Sequence, residues 1–284
     1  MKLKYFGTAA AEGWPGLFCS CDVCIKAKEL GGKNIRTRSQ ALINEDLLID
    51  FPPDTYHHIL KDGLDLTKVK DVIVTHSHSD HFYVNDLHMI GPPFAHAQGS
   101  DKRKREFAIN IFGNESVNAA APAFESKKEF LLFNLVHAFT PATVGKYTVT
   151  PLKADHDKSQ NCYIYIIEDG NKKILYGNDT GYFPDETWEY LNLKENKNNT
   201  QGKKFDFVSL DTTSGIEECR RGHMGINCVF EVKDRLLEIG AADNNTVFCL
   251  NHFSHNGMKL YDELVDIGRT TGFIVSYDGM EVEI

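Results

Sequence analysis

The sequence predicts an α/β protein whose β-sheets are covered by helices. Short stretches rich in valine, isoleucine, phenylalanine and tyrosine recur along the chain and end at glycine, aspartate or histidine, as β-strands do. Stretches with helical periodicity alternate with several of them, which is typical of sheets packed against helices. The predicted strands are 47–50, 69–75, 107–112, 147–152, 162–167, 173–177, 205–211 and 246–251, and the predicted helices are 53–60, 80–89, 115–124, 184–193, 224–239 and 258–267.

The length and composition favour one domain over residues 1–284. The chain has 284 residues, of which 42% are hydrophobic and 25% are charged, so it has enough apolar side chains for a sizeable core. The sequence contains no internal repeat, and no polar stretch is long enough to be a convincing domain linker. Two polar stretches, near 91–105 and 195–204, are interpreted as surface insertions.

Charge and cysteine usage limit the partners and the compartment. Asp+Glu number 40 against 31 Lys+Arg, and the formal charge of −9 disfavours extended nonspecific contact with nucleic acid. No apolar run is long enough to cross a membrane, and the first residues are expected to form a strand. Seven cysteines, an odd number, argue against a secreted disulfide framework. We therefore expect a cytoplasmic protein without a membrane partner, and a homodimer stays open.

Four side chains able to bind a metal closely follow the predicted strand 69–75. They are His76, His78, Asp80 and His81, in the sequence His-Ser-His-Ser-Asp-His. Residues two apart in an extended segment point the same way, so His76 and His78 can converge on one ion. Asp80 and His81 are expected to begin a helix, where adjacent side chains diverge and can face a second ion. Imidazole and carboxylate are the ligands expected of Zn²⁺, Mn²⁺ and Fe²⁺.

This His-x-His-x-Asp-His sequence after an apolar strand resembles the signature of the metallo-β-lactamase superfamily. Later motifs that end at His156, Asp179 and His252 extend the resemblance in order. It implies an αββα four-layer sandwich with a binuclear metal centre. The implied first site is His76, His78 and His156, the second is Asp80, His81 and His252, and Asp179 bridges the two. Asp50 resembles the carboxylate that orients a ligand histidine, and a turn or helix-capping role is its alternative.

A second set of ligand-type residues lies near the N-terminus, in the sequence Cys19-x-Cys21-x-x-Cys24. Three thiolates are one ligand short of a closed tetrahedral zinc site. The set resembles one branch of the superfamily, the phosphoribosyl cyclic phosphate phosphodiesterases of phosphonate breakdown. In that branch the fourth ligand is a histidine three residues after the last active-site histidine, and His255 stands at that spacing. The resemblance implies a structural zinc, and a reduced cysteine cluster without metal is the alternative.

His223 and Asp80 are the residues to which we assign catalysis, Asp80 being also a ligand. His223 stands where the branch has a histidine that protonates the leaving oxygen or stabilises phosphate charge. The alternative is an exposed histidine near a helix start. Arg220 and Arg221 could bind phosphate, although paired arginines on a loop are more often solvated. A basic run at 102–105 is conceivable as a nucleic-acid-binding arm, although such runs are usually solvated surface.

The resemblance implies hydrolysis of a small cyclic or nucleotide-like phosphodiester by a hydroxide that bridges two divalent ions, Zn²⁺ or Mn²⁺, with Fe²⁺ as a further candidate. Three alternatives share the fold: a ribonuclease of the transfer-RNA 3′-processing type, a lactone or thioester hydrolase, and a non-catalytic accessory protein. Such ribonucleases carry a long arm between the residues that match His156 and Asp179, and the interval here is too short for one. The complete ligand set counts against the accessory protein, whose catalytic ligands are altered.

Overall fold

Two seven-stranded β-sheets form the centre of the computed structural model, which describes residues 1–96, 107–194 and 202–284. The strands, numbered along the chain, are β1 (Lys2–Gly7), β2 (Gln40–Ile43), β3 (Leu47–Ile49), β4 (Asp71–Ile73), β5 (Ile109–Gly113), β6 (Leu131–Leu135), β7 (Ala142–Val144), β8 (Tyr147–Lys153), β9 (Tyr163–Glu168), β10 (Lys173–Gly177), β11 (Phe207–Asp211), β12 (Val247–Asn251), β13 (Phe273–Val275) and β14 (Glu281–Glu283).

Both sheets are mixed. The first has the order β14-β1-β2-β3-β4-β5-β6, and the second has the order β13-β12-β11-β10-β9-β8-β7. Strands β3 to β6 are parallel to one another, as are β10 to β13, whereas the other neighbours pair antiparallel. The parallel part of each sheet alternates with helices, as the sequence predicts.

Helices cover the outer face of each sheet. They are α1 (Asp22–Leu30), α2 (Thr55–Asp62), α3 (Val84–Leu87), α4 (Glu115–Asn118), α5 (Asp185–Leu191), α6 (Ile226–Glu238) and α7 (Tyr261–Thr271), with 3₁₀ turns at Gly32–Asn34, Ala121–Lys127 and His255–Gly257. The buried apolar residues form three clusters: one between the sheets, one between the first sheet and α2 to α4, and one between the second sheet and the remaining helices. The predicted αββα four-layer sandwich is therefore confirmed.

The alternation of side chains along each strand builds these layers. In β9, Tyr163, Tyr165 and Ile167 belong to the cluster between the sheets, while Ile164 and Ile166 belong to the cluster under the helices. Successive residues of a strand point to opposite faces, so a strand buried on both sides is apolar at every position. This is why the central strands have continuous apolar sequences.

The predicted helix 80–89 is wrong in its first turn. The helix α3 begins only at Val84, and Asp80 and His81 lie in a turn. Phe51 N–H donates to the His81 carbonyl oxygen and Tyr83 N–H donates to the Phe51 carbonyl oxygen, both over 2.7 Å. These bonds hold 81–83 in a bridge beside Phe51, so helical hydrogen bonding cannot begin earlier.

Several elements have no counterpart in the predicted set. They are α1, β2, β6, β7, β13 and β14, most of them short strands at or near the edges of the sheets. The helix α1 buries only Cys24 and Ala27, so its sequence has almost no apolar periodicity to detect. Two polar residues between α1 and β2, Arg36 and Ser39, are buried.

The predicted insertions are only partly within the described residues. Of 91–105 the structure describes 91–96, and of 195–204 it describes 202–204; the basic run 102–105 lies outside the described residues. Among the described helices, none combines the length and apolar composition that a membrane span requires.

A buried hydrogen-bond network under the first sheet contains His58, a residue without a predicted role. Its Nδ1–H donates to Gln40 Oε1 over 2.6 Å, and its Nε2 lies 2.7 Å from Thr37 Oγ1. Burial lowers the pKa of His58 to about 3, so the folded chain holds the neutral imidazole.

We expect His58 to make the free energy of unfolding depend on pH. The imidazole has a pKa of about 6.5 in an unfolded chain and about 3 here, so below about pH 6.5 the unfolded state binds a proton that the folded state does not. As the pH falls from roughly 6 to 5, the free energy of unfolding should decrease by about 1.4 kcal/mol more per pH unit in the wild type than in His58→Gln. Urea denaturation measures this, with the exposed neighbour substitution His57→Gln as the control that keeps the wild-type slope. Equal slopes for wild type and His58→Gln would contradict this expectation.

Candidate metal centre

The residues predicted to hold the binuclear centre lie at one edge of the sandwich. Strands β8 and β10 are both antiparallel to β9, so they run in the same direction, and β10, β11 and β12 are parallel. Their carboxyl ends therefore meet at one edge, where the following residues include His156, Asp179 and His252. The segment after β4 of the facing sheet carries His76 to His81 to the same place.

The first predicted site is compact. His76, His78 and His156 each offer a ring nitrogen, and these atoms lie within 4.8 Å of one another. His76 Nε2 and His78 Nδ1 are 2.9 Å apart. His156 Nε2 lies 3.7 Å from Asp179 Oδ1, so this carboxylate adjoins the group.

The second predicted site gathers around the other oxygen of the same carboxylate. Asp179 Oδ2 lies 2.8 Å from His81 Nε2 and 3.0 Å from His252 Nε2. Asp80 Oδ2 lies 3.3 Å from His81 Nε2. Asp179 thus presents one oxygen to each group of histidines, which is the arrangement that a bridging ligand requires.

Each of the five histidines has its other ring nitrogen held by a protein acceptor. The partners are Thr75 Oγ1 for His76 Nδ1 (3.1 Å), Asp157 Oδ2 for His78 Nε2 (3.1 Å), Asp50 Oδ2 for His81 Nδ1 (2.7 Å), the Gly222 carbonyl oxygen for His156 Nδ1 (3.0 Å) and Thr213 Oγ1 for His252 Nδ1 (2.8 Å). A nitrogen that donates to an acceptor leaves the opposite nitrogen of a neutral ring with a lone pair. The outer partners therefore set both the orientation of each ring and the nitrogen available to a metal.

Three buried atoms of the second site lack a hydrogen-bond partner: His81 Nε2, Asp179 Oδ2 and His252 Nε2. With both Nδ1 atoms already donating, two lone pairs face one carboxylate oxygen, an arrangement that needs a cation. Burial alone would lower the pKa of His81, yet the nearby carboxylates, Asp179 foremost, raise it well above its ordinary value. The same carboxylates that favour a proton there favour a divalent ion. The histidine and aspartate cluster thus fits a divalent-metal site.

Asp211 belongs to the site and has no predicted role. It is fully buried at the end of β11, and its Oδ2 lies 2.9 Å from His223 Nδ1 and 3.4 Å from His252 Nδ1. Its Oδ1 accepts from the backbone N–H of Met224 over 3.2 Å. Because both imidazoles present Nδ1 to it, Asp211 orients them rather than joining the metal-facing atoms. The available signal was its place as an aspartate that ends a strand, like Asp50.

The cysteine cluster near the N-terminus is compact. Cys19, Cys21, Cys24 and His255 each place a ligand atom within 4.8 Å of the others. His255 Nδ1 lies 3.7 Å from Cys19 Sγ and 3.6 Å from Cys21 Sγ. A tetrahedral zinc ion with Zn–S of about 2.3 Å and Zn–N of about 2.05 Å separates such ligands by about 3.6 Å. Every cysteine of the chain is free, so no disulfide competes for these thiols.

The backbone is strained at three residues in or beside the histidine and aspartate cluster. Asp50, Asp179 and His252 have φ of 64°, 49° and 59°, the left-handed region that side chains other than glycine rarely adopt. Each such residue costs about 1–3 kcal/mol and persists only where the surroundings hold it in place. Asp50 and His252 directly follow a strand that ends at this edge, and Asp179 lies two residues after one.

A cleft of about 350 Å³ opens beside this cluster. Its lining includes His223, whose side chain is 30% exposed, and Asp80. The other lining residues are Ala10, Ala11, Glu12, His78, His156, Asp179, Thr213, Ser214, Ser254 and Asn256.

Arg220 and Arg221 do not line this cleft. Arg220 pairs with Glu231 over 2.5 Å and stacks on Tyr182, while Arg221 is largely exposed with Nε 3.3 Å from Asp155. They border a separate groove of about 380 Å³ beside the cleft. Nothing in these contacts assigns them to phosphate binding.

Comparisons with known proteins agree with this architecture. The family model for the beta-lactamase superfamily domain matches residues 47–253. A diphosphatase from the PhnP family is 18% identical over 100% of this chain and 96% of its own (TM-score 0.72). Zn²⁺-bound PqqB from Methylobacterium extorquens is 15% identical over 100% of both chains (TM-score 0.73). Human tRNase Z, short form, is 14% identical over 100% and 99% (TM-score 0.64).

No curated protein sequence matches the chain, and at these identities the solved structures show a shared fold alone. The matched family range spans most of the chain and contains all the residues of the two histidine groups, from His76 to His252. Together with the four-layer sandwich, these findings support a metal-dependent hydrolase. The chain belongs to the metallo-β-lactamase superfamily.

Proposed function

We propose that the protein is a metal-dependent phosphodiesterase that hydrolyses a small cyclic or nucleotide-like phosphodiester. The observation that carries the proposal is His223, an imidazole at the cleft whose Nδ1 is fixed 2.9 Å from the buried carboxylate of Asp211. Its Nε2 is left for a substrate, beside a complete set of metal-binding side chains. A cleft of about 350 Å³ suits a small ligand better than a folded polymer.

The proposed centre holds two divalent ions, Zn²⁺ or Mn²⁺, with Fe²⁺ as a further candidate. His76, His78 and His156 would hold the first ion, Asp80, His81 and His252 the second, and Asp179 would bind both. Such a pair of ions supplies positive charge for non-bridging phosphate oxygens and lowers the pKa of bound water. The orienting partners of the histidines fix the nitrogens that take part.

His223 is the proposed proton donor to the leaving oxygen. Burial opposes a charged imidazole, but Asp211 raises the pKa of His223 above its ordinary value, so the ring can hold the proton to be donated. Asp80, the other residue assigned to catalysis, would act as a carboxylate ligand and not as a proton donor. Burial again opposes charge, but His81 keeps the pKa of Asp80 below its ordinary value, so Asp80 stays a carboxylate suited to metal binding.

We further propose that Cys19, Cys21, Cys24 and His255 bind a structural zinc. The cluster joins the loop before α1 to the 3₁₀ turn His255–Gly257, three residues beyond His252. A side chain in place of Gly16 would put a Cβ 2.9 Å from the His255 ring, so the loop needs glycine to approach it. The zinc would thereby support the segment that carries the last histidine of the centre.

Two of the alternatives are less well supported. Between His156 and Asp179 the chain forms only β9 and β10 and their connections, which leaves no arm for transfer RNA. The accessory-protein alternative is disfavoured because a protein without activity needs neither His223 with its partner Asp211 nor a complete set of metal-binding side chains. A lactone or thioester hydrolase stays the nearest alternative, because the same centre can attack a carbonyl carbon. Cytoplasmic location, homodimer formation and little nucleic-acid binding stay predictions.

Substrate class is tested with the protein loaded with Mn²⁺ or Zn²⁺. We expect hydrolysis of bis(p-nitrophenyl) phosphate and no comparable hydrolysis of a p-nitrophenyl ester or phosphomonoester. His223→Gln should lower kcat about 10²–10⁴-fold, as expected for loss of a general acid, with unchanged metal content. The exposed-site control His137→Gln should keep wild-type activity. Hydrolysis of the ester alone would replace this proposal with the lactone or thioester hydrolase, and a fully active His223→Gln would refute the proton-donor role.

The structural zinc is tested by replacing one thiol. Cys24→Ser should contain about one zinc ion less per chain and have a Tm lower by roughly 10 °C, given a loss of about 3–4 kcal/mol in a domain of this size. Cys219→Ser, at a half-exposed free cysteine outside the cluster, is the matched control and should keep both values. Metal analysis and calorimetry measure them. Wild-type zinc content and Tm in Cys24→Ser would show that the cluster holds no metal.

A further inference from the structure

An asparagine directly precedes each of the two strained residues that face one another in the second site. Asn178 precedes Asp179, and Asn251 precedes His252. Both asparagines are fully buried, and neither lines the cleft. The proposed function gives them no role.

The two asparagines contact each other across the strand that separates them. Asn251 Nδ2–H donates to Asn178 Oδ1 over 3.0 Å. Asn178 follows β10 and Asn251 ends β12, while β11 lies between these two strands in the sheet. We call this contact the amide pair. It joins directly the two chain segments that carry Asp179 and His252.

Buried hydroxyl groups fix both ends of the amide pair. Asn178 Nδ2 donates to Ser39 Oγ over 2.8 Å and to Tyr176 Oη over 2.9 Å. Ser276 Oγ donates to Asn251 Oδ1 over 2.6 Å. All of these residues are at most 1% exposed, and Ser39 comes from the first sheet's side of the sandwich. The pair is therefore buried and held by neighbours on both of its sides.

We propose that Asn178 and Asn251 are positioning residues that set the spacing between Asp179 and His252. Left-handed backbone at an aspartate or histidine persists only where its surroundings determine it. Here the asparagine that precedes Asp179 is hydrogen-bonded to the asparagine that precedes His252. The result is the 3.0 Å separation of Asp179 Oδ2 and His252 Nε2. The inference rests on the proposed binuclear centre and adds to it the residues that fix its geometry.

The test measures metal binding without substrate. Protein freed of active-site metal but retaining its cysteine-site zinc is titrated with Co²⁺, and the visible absorption of bound Co²⁺ reports ligand geometry. Asn178→Ala and Asn251→Ala should each bind the active-site ions about 10-fold more weakly than wild type, with an altered spectrum; this is the lower end of the range for residues that bond directly to a metal ligand. The double variant should lose little more than one single variant, because each removes the same contact.

A matched pair of tyrosine variants separates positioning from general stability. Tyr176→Phe removes a hydroxyl that holds Asn178, whereas Tyr5→Phe removes a buried hydroxyl that donates to Ser209 Oγ over 2.9 Å without contacting the amide pair. Both should fold with somewhat lower Tm. Only Tyr176→Phe should weaken Co²⁺ binding and change the spectrum, in the same direction as the asparagine variants. If an asparagine variant fails to fold, the comparison of Tyr176→Phe with Tyr5→Phe still tests the positioning role.

The outcomes are distinct. Wild-type Co²⁺ affinity and spectrum in Asn178→Ala and Asn251→Ala, or in Tyr176→Phe if those do not fold, would refute the positioning role and leave the amide pair as packing. A wild type that binds no Co²⁺ outside the cysteine cluster would instead refute the binuclear centre itself. Loss of affinity in Tyr5→Phe equal to that in Tyr176→Phe would also refute the inference, since any buried hydroxyl would then have the same effect.

Discussion

The buried carboxylate of Asp179 is the constraint on which the rest of the structure depends. Its two oxygens face two groups of imidazoles whose outer nitrogens are already bonded, so the inward nitrogens of the neutral rings direct lone pairs at the carboxylate. In a site with little water, such atoms require a cation. The carboxyl edge of the sandwich is the place where strands from both sheets can deliver enough side chains to one point. The fold brings these side chains together, and a bound cation would balance the negative charge of the carboxylate.

The rigidity of this edge comes from residues that bind no metal in our account. Thr75, Asp50 and Thr213 hold imidazoles, and Asp211 holds two at once. Left-handed backbone at Asp50, Asp179 and His252 costs stability that the packed sheets and buried hydrogen bonds offset. Stability and function are therefore coupled here: the hydrogen bonds that keep these residues in place are the same ones that aim the ligand atoms.

Much of the site could be predicted because ligand chemistry leaves a local pattern. The spacing of His76 to His81 after a strand is informative by itself, and the resemblance added His156, Asp179 and His252, which are uninformative singly. Asp211 and Asn178 were missed because a buried aspartate or asparagine at a strand end has no distinctive spacing, and only tertiary contact reveals its partner. The helix predicted from residue 80 failed for a similar reason, since pairing with Phe51 overrides local periodicity. Edge strands such as β7 and β14, of three residues each, are too short for a clear alternation.

We propose that three metal ions occupy the protein, two at the histidine edge and one at the cysteine cluster. Anomalous diffraction at the zinc absorption edge from crystals of the Zn²⁺-loaded protein tests it most directly. We expect three peaks per chain. Two lie at the histidine edge on either side of Asp179, one among His76, His78 and His156 and one among Asp80, His81 and His252. The third lies among Cys19, Cys21, Cys24 and His255. A single peak at the cysteine cluster, with the histidine edge empty in Zn²⁺-loaded crystals, would contradict it.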